Sequence, residues 1–140
     1  MTKTKVLFLC THNSARSQMA EAFLRKYAGD RFEVYSAGLE PTGLHPLAKR
    51  VMEEIGFDMS GQESKDLKQF LGTTHFGYLI TVCARAEATC PIFPGASIRL
   101  HWPFDDPAAF EGTEEEKRNK FRVIRDGIEE KIKSWIEEVA

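Results

Sequence analysis

No apolar run in this chain approaches the ~20 residues of a membrane span, and its first residues lack the apolar core of a secretory signal. No membrane partner is therefore expected, and the cytoplasm is the expected compartment. Neither charge is in surplus: 19 Lys and Arg face 21 Asp and Glu, a formal net charge of −2. That balance gives no electrostatic case for nucleic acid or an anionic membrane. Low-complexity tracts, internal repeats and linkers are absent. A chain of 140 residues suits one domain, 1–140, burying roughly two-thirds of its unfolded surface, and is expected to act as a monomer. Cysteine is scarce and odd in number, three in all, which argues against a permanent disulfide framework. In a reducing compartment, catalysis, metal binding or plain burial remain. Cys83 and Cys90 lie further apart than the usual zinc pairs and no histidine falls in register, so no metal is expected.

What is present begins with the apolar run Val6-Leu7-Phe8-Leu9, short and branched enough to be a buried strand. The loop Cys10-Thr11-His12-Asn13-Ser14-Ala15-Arg16-Ser17 follows, and then a helix that the pattern places from Ser17 to about Tyr27, with Met19, Ala20, Phe23, Leu24 and Tyr27 as its apolar stripe. A strand, a short loop and a helix N-terminus make an anion site: N–H groups converge there and the helix dipole favours negative charge. Arg16 adds a planar fork of donors matched to two oxygens of a tetrahedral oxyanion. The same surroundings would hold Cys10 as a thiolate, the nucleophilic form. Ser17, at the helix start, is placed to donate its hydroxyl to that sulfur. The competing reading is a buried structural cysteine beside a surface arginine.

Strands at 32–36, 77–82 and 97–102 alternate with helices at 47–55, 66–71 and 85–89, and Thr113 with Glu116 has the spacing of a capping box before a long final helix. This order implies βαβ units: an α/β three-layer sandwich around a parallel sheet of about four strands. Ligand-binding loops then gather at the C-terminal strand edge. The loops carrying Cys10, Cys83 and the Asp105-Asp106 pair all leave strands there.

The Cys10-to-Arg16 loop resembles that of the low-molecular-weight tyrosine phosphatase superfamily, and within it CTHNSARSQMAE is most similar to the thioredoxin-coupled arsenate reductases. The stretches YSAGLEP, TVCARAEATCP and FDDPA match in the same order, so the resemblance covers nearly the whole chain. It implies the phosphotyrosine phosphatase I-like fold and an enzyme reducing arsenate to arsenite. Thr11, His12, Asn13, Ser14, Ala15, Arg16 and Ser17 would bind arsenate or a phosphate-like oxyanion. It further implies a relay: Cys10 forms the arsenic adduct, Cys83 attacks Cys10, and Cys90 attacks Cys83. Thioredoxin then reduces the Cys83–Cys90 disulfide, and no other cofactor is implied. By the same resemblance Asp106 is the proton donor, with Asp105 as second choice; an Asx turn is the alternative for an Asp-Pro pair.

Some relatives hold potassium behind the loop with residues matching Asn13, Glu21 and Ser36, but here Lys65 stands where a carboxylate is needed. His12 and Ala15 also depart from a common pattern of glycine and cysteine; His12 is expected to be an exposed bystander or a donor at the loop rim. Two other functions remain open, a tyrosine or small phosphomonoester phosphatase and a non-catalytic oxyanion- or arsenite-binding regulator. If Ala84 to Thr89 is helical, seven helical positions separate the Cys83 and Cys90 Cα atoms by ~10 Å, and a disulfide needs ~5.5–6 Å. Oxidation must then unwind that helix.

Overall fold

The computed structural model describes residues 3–70, 73–89 and 95–139, without the side chain of Thr89. Among them, strands β1 (Thr4–Cys10), β2 (Phe32–Gly38), β3 (Phe76–Thr81) and β4 (Ala96–His101) form one parallel sheet in the order β2-β1-β3-β4. Helices α1 (Arg16–Ala28), α2 (Pro46–Glu53), α3 (Ala84–Thr89) and α4 (Glu114–Glu138) alternate with or follow the strands. This is the three-layer α/β arrangement that the alternation of elements implies. Both middle strands, β1 and β3, are nearly continuous apolar runs, as burial on two faces requires.

The strand order fixes the site. From β1 the chain crosses to β2 on one side, while from β3 it crosses to β4 on the other. Right-handed crossovers in opposite directions put α1 and α3 on opposite faces and leave a crevice between the C-terminal ends of β1 and β3. Cys10 ends β1, and Cys83 lies two residues beyond β3.

Packing is aromatic where α4 crosses the sheet: the Trp135 ring lies 5.3 Å from Phe32, 5.0 Å from Tyr78 and 5.7 Å from Trp102, centroid to centroid. Thr113 and Glu116 close the expected capping box at the start of α4. Glu54 accepts from Arg122 and Arg125, which ties the end of α2 to α4 and holds its carboxyl down at about 2, the Arg122 bonds first.

Two local expectations differ. Tyr27 is exposed rather than part of an apolar stripe, and its hydroxyl donates to Glu129. Helix α1 is instead buried without a break from Arg16 to Leu24, polar residues included, because its first turns run under the loops at the sheet edge. Of the segment 66–71, expected to be a short helix, the described residues 66–70 hold a 3-10 turn, Leu67–Gln69, capped by the Asp66 carboxylate on Lys68 N–H, and residue 71 lies outside the described residues. No helix among the described residues is long and apolar enough to cross a membrane.

Candidate active site

The loop after β1 is shaped by where its carbonyls go. Those of Cys10, Thr11, His12 and Ser14 accept from Leu39, Glu40, Thr42 and His45 N–H groups at 2.8–3.3 Å. With the carbonyls turned towards that segment, the N–H groups of His12 to Arg16 donate to no protein acceptor among the described residues. The α1 N-terminus likewise has no side-chain cap. A free helix end and a run of free donors are what an anion requires. Asn13 makes the turn with a positive φ of 50°, which Asn tolerates better than most residues. Gly38 permits the close packing of β2 against this loop, since a Cβ there would sit 2.8 Å from Asn13 N and 2.9 Å from Thr11 O.

Asn13 braces the loop. Its Nδ2 donates to Ser17 Oγ at 2.8 Å, and its Oδ1 accepts from Lys65 N–H at 2.8 Å and from Gln18 Nε2 at 3.2 Å. Ser17 Oγ thus accepts from Asn13, which leaves its own hydroxyl proton free to donate, and no bond from it to Cys10 is formed among the described residues. Three residues of this brace escape a reading of the sequence. Gln18 is fully buried and also donates to Glu63 O; Gln62 caps Gln18; Ser64 Oγ donates to Asn13 O at 2.6 Å. The one available signal is a glutamine in the first turn of a helix that follows an anion loop.

Behind the loop, Glu21 accepts from Ser36 Oγ and from Arg25, and the Lys65 ammonium stands 3.5 Å from its Oε1. Asn13, Glu21, Ser36 and Lys65 are thus brought together. A potassium ion does not fit this donor set, because a fixed ammonium already faces the carboxylate it would need. Activity in KCl and NaCl at equal ionic strength is expected to be the same. Strong preference for potassium would show that Lys65 swings away and a neighbouring carboxylate replaces it.

The cavity above the loop, about 330 Å³, is lined by Thr11, His12, Arg16, Cys83, Ala84, Arg85, Phe104 and Asp106. His12 is half-buried in this wall. Arg16 is buried, its Nη1 donating to Phe104 O at 3.0 Å and its Nη2 lying 3.8 Å from Asp106 Oδ2. Asp106 Oδ1 accepts from Ala108 N–H in the expected Asx turn, and its other oxygen faces the loop. Asp105 points elsewhere, towards Lys120 at 3.4 Å.

Cys10 and Cys83 are free and buried, and each is the largest influence on the other's titration. Two thiols this strongly coupled titrate as a pair. The neighbouring Cys83 first, and then burial, push the Cys10 thiol up, while Arg16 and Thr11 N–H pull it down. Cys83 is brought down to about 5, first by the Cys10 thiol and, against burial, by the Thr11 hydroxyl at 3.3 Å and Ala86 N–H at 3.4 Å. Cys90 lies outside the described residues, but the helix between the two cysteines is present: α3 spans Ala84–Thr89.

Comparison with known proteins agrees with this geometry. The family model described as low molecular weight phosphotyrosine protein phosphatase matches residues 5–140. An arsenate reductase of Halalkalibacterium halodurans is 47% identical over 137 residues, 98% of each chain. An arsenate reductase solved in its phosphate-binding state superposes with a TM-score of 0.82 at 31% identity, over 98% of this chain and 99% of the other. A thioredoxin-dependent arsenate reductase of Corynebacterium glutamicum gives 0.73 at 30% identity, over 98% of this chain and 62% of the other. The chain belongs to the low-molecular-weight phosphotyrosine protein phosphatase family, with arsenate reductases among its relatives.

Proposed function

We propose that this protein reduces arsenate to arsenite, with thioredoxin restoring its thiols. The observation that carries the reading is a second buried thiol, Cys83, in the wall of the cavity above the Cys10 loop. A phosphatase needs no second thiol there, whereas reducing As(V) to As(III) takes two electrons that thiols can supply.

Arsenate enters the loop against the free N–H groups and the Arg16 guanidinium. The Cys10 sulfur, its proton passed to Cys83, attacks arsenic, and Asp106 protonates the departing oxygen as water. Cys83 then gives up the proton it took to solvent and attacks the Cys10 sulfur as a thiolate. The S–As bond breaks, its electron pair stays on arsenic, and arsenite leaves behind a Cys10–Cys83 disulfide. Cys90 attacks Cys83 and expels the Cys10 thiolate. The resulting Cys83–Cys90 disulfide is reduced by thioredoxin, which is itself oxidised. The relatives named arsenate reductases, one of them thioredoxin-dependent, support the overall reaction and the choice of reductant.

Arsenate-dependent NADPH oxidation with thioredoxin and its reductase tests the proposal, with the glutaredoxin couple as the comparison. Sustained oxidation with thioredoxin is expected. No turnover with either couple, together with tight binding of trivalent arsenic, would replace the enzyme by a regulator. The second reading, aryl phosphate hydrolysis, draws on the same loop and Asp106. It is expected at a low rate and should survive loss of Cys83, because water can cleave a Cys10 phosphoryl adduct.

A further inference from the structure

Helix α3 follows Cys83 directly, and very little apolar contact holds it to the sheet. Of its described side chains only Ala86 is fully buried; Ala84, Arg85 and Ala88 are exposed. A helix of six residues has almost no stability of its own. What ties it down is a polar cluster on its remaining side. Glu87 Oε2 accepts the Thr81 hydroxyl from β3 and lies 3.4 Å from Arg99 Nη2 and 3.7 Å from His101 Nδ1 on β4. Arg99 Nη2 also donates to the Glu87 backbone carbonyl at 3.1 Å. Thr81 has one hydroxyl proton, directed to Glu87, so its oxygen accepts from Nδ1–H of His101 at 2.8 Å. The cluster thus joins β3 and the edge strand β4 to the second turn of α3.

We propose that Glu87, Thr81, Arg99 and His101 form a positioning latch that keeps α3 wound in the reduced protein and sets how readily the chain after Cys83 opens for thiol–disulfide exchange. The argument is geometric. Glu87 lies four residues after Cys83, and its N–H donates to the Cys83 carbonyl at 3.2 Å in the first helical bond of α3. Unwinding α3 must break that bond, the Ala86 N–H bond to Cys83 Sγ and the Glu87 contacts together. The latch touches neither the anion loop nor Asp106. It therefore acts on the later exchange and not on the first attack. Only that consequence rests on the proposed reduction; the latch itself is a property of the reduced fold.

Two conservative variants test it. Glu87→Gln keeps the size and helix propensity and removes the charge; Thr81→Val keeps the branched shape and removes the hydroxyl. In the reduced protein, amide hydrogen exchange at 86–88 is expected to quicken about 5- to 10-fold in each, the worth of one partly exposed charge-assisted bond. The double variant should gain less than the product, because both changes remove the same contact. Protection at Val6–Leu9 should not change. Treatment with glutathione disulfide, followed by mass spectrometry, should show faster formation of the Cys83–Cys90 disulfide in the same order. Unchanged exchange at 86–88, or equal acceleration across the whole sheet, would overturn the latch. Faster exchange with an unchanged rate of disulfide formation would overturn its control of the thiol step. Neither measurement uses arsenate, so a wild-type protein that fails to reduce arsenate sinks the proposed function and leaves the latch to stand or fall separately.

Discussion

Cys10→Ser is expected to abolish both arsenate reduction and aryl phosphate hydrolysis, and to return Cys83 from about 5 towards the ordinary thiol range. The first loss follows because, among the described residues, Cys10 is the only thiol within the loop itself. The second follows because the largest influence holding Cys83 down is the Cys10 thiol itself. With a pKa of ~8.5, only a few per cent of Cys83 would be thiolate at pH 7. Thr11, Ala86 N–H and Arg16 still lower it against burial, so the return need not be complete.

Cys83→Ser is expected to do the opposite to its partner. The Cys10 thiol loses the bond that chiefly raises it, and Arg16 and Thr11 N–H remain to lower it. This variant should keep its phosphatase rate but stop reducing arsenate. Cys90→Ser should abolish multiple-turnover reduction. The sign with pH is fixed by the same pair. A depressed thiol keeps its charge as pH falls until its own pKa is passed, so wild-type protein should retain one thiolate down to about pH 5 and lose it below. Titration by ultraviolet thiolate absorbance checks this in all three forms. If Cys10→Ser still titrates near 5, the coupling of the two thiols is the wrong account, and the α3 N–H and Thr11 suffice alone. If Cys83→Ser or Cys90→Ser reduces arsenate repeatedly with thioredoxin, the relay is wrong.

The parts of this site that the sequence makes legible are the local ones. An apolar strand, an eight-residue loop and a helix start are contiguous from Val6 to Ser17, and their chemistry follows from spacing alone. The capping box of α4 is equally local. The alternation of elements suffices to place Cys10, Cys83 and Asp106 at one edge, because parallel connections all deliver their loops to the strand C-termini. The brace of Gln18, Gln62 and Ser64 is not legible. It depends on a loop about 45 residues away in sequence folding back on α1, and that loop has no periodicity to read. The position of the thiol proton is hidden for a different reason. Arg16 and the helix end argue for a Cys10 thiolate. The influence that opposes them, Cys83 beside Cys10, exists only once β1 and β3 are neighbours. Lys65 lies between the two cases. The missing carboxylate is visible in the sequence, but the ammonium facing Glu21 is not.

Asp106→Asn is expected to slow the first covalent step by about 10²–10⁴-fold, the usual worth of one general acid, with oxyanion binding preserved. The geometry separates the two neighbours. The Asp106 side chain is 41% exposed, and its Oδ2 stands 3.8 Å from Arg16 Nη2 above the loop; that of Asp105 is 82% exposed and lies beside Lys120. Asparagine can still cap Ala108 N–H through its oxygen, so the turn before Pro107 should survive the change. Removing a carboxylate from the cavity wall also removes a repulsion on the incoming anion, and phosphate should therefore bind no more weakly. Isothermal titration with phosphate measures binding, and rapid-mixing kinetics with aryl phosphates measures the step. The penalty should grow with the basicity of the leaving phenolate, because a poor leaving group needs the proton most. A uniform penalty across phenols would mean that Asp106 positions Arg16 rather than donating a proton. A larger loss in Asp105→Asn than in Asp106→Asn would move the acid to its neighbour.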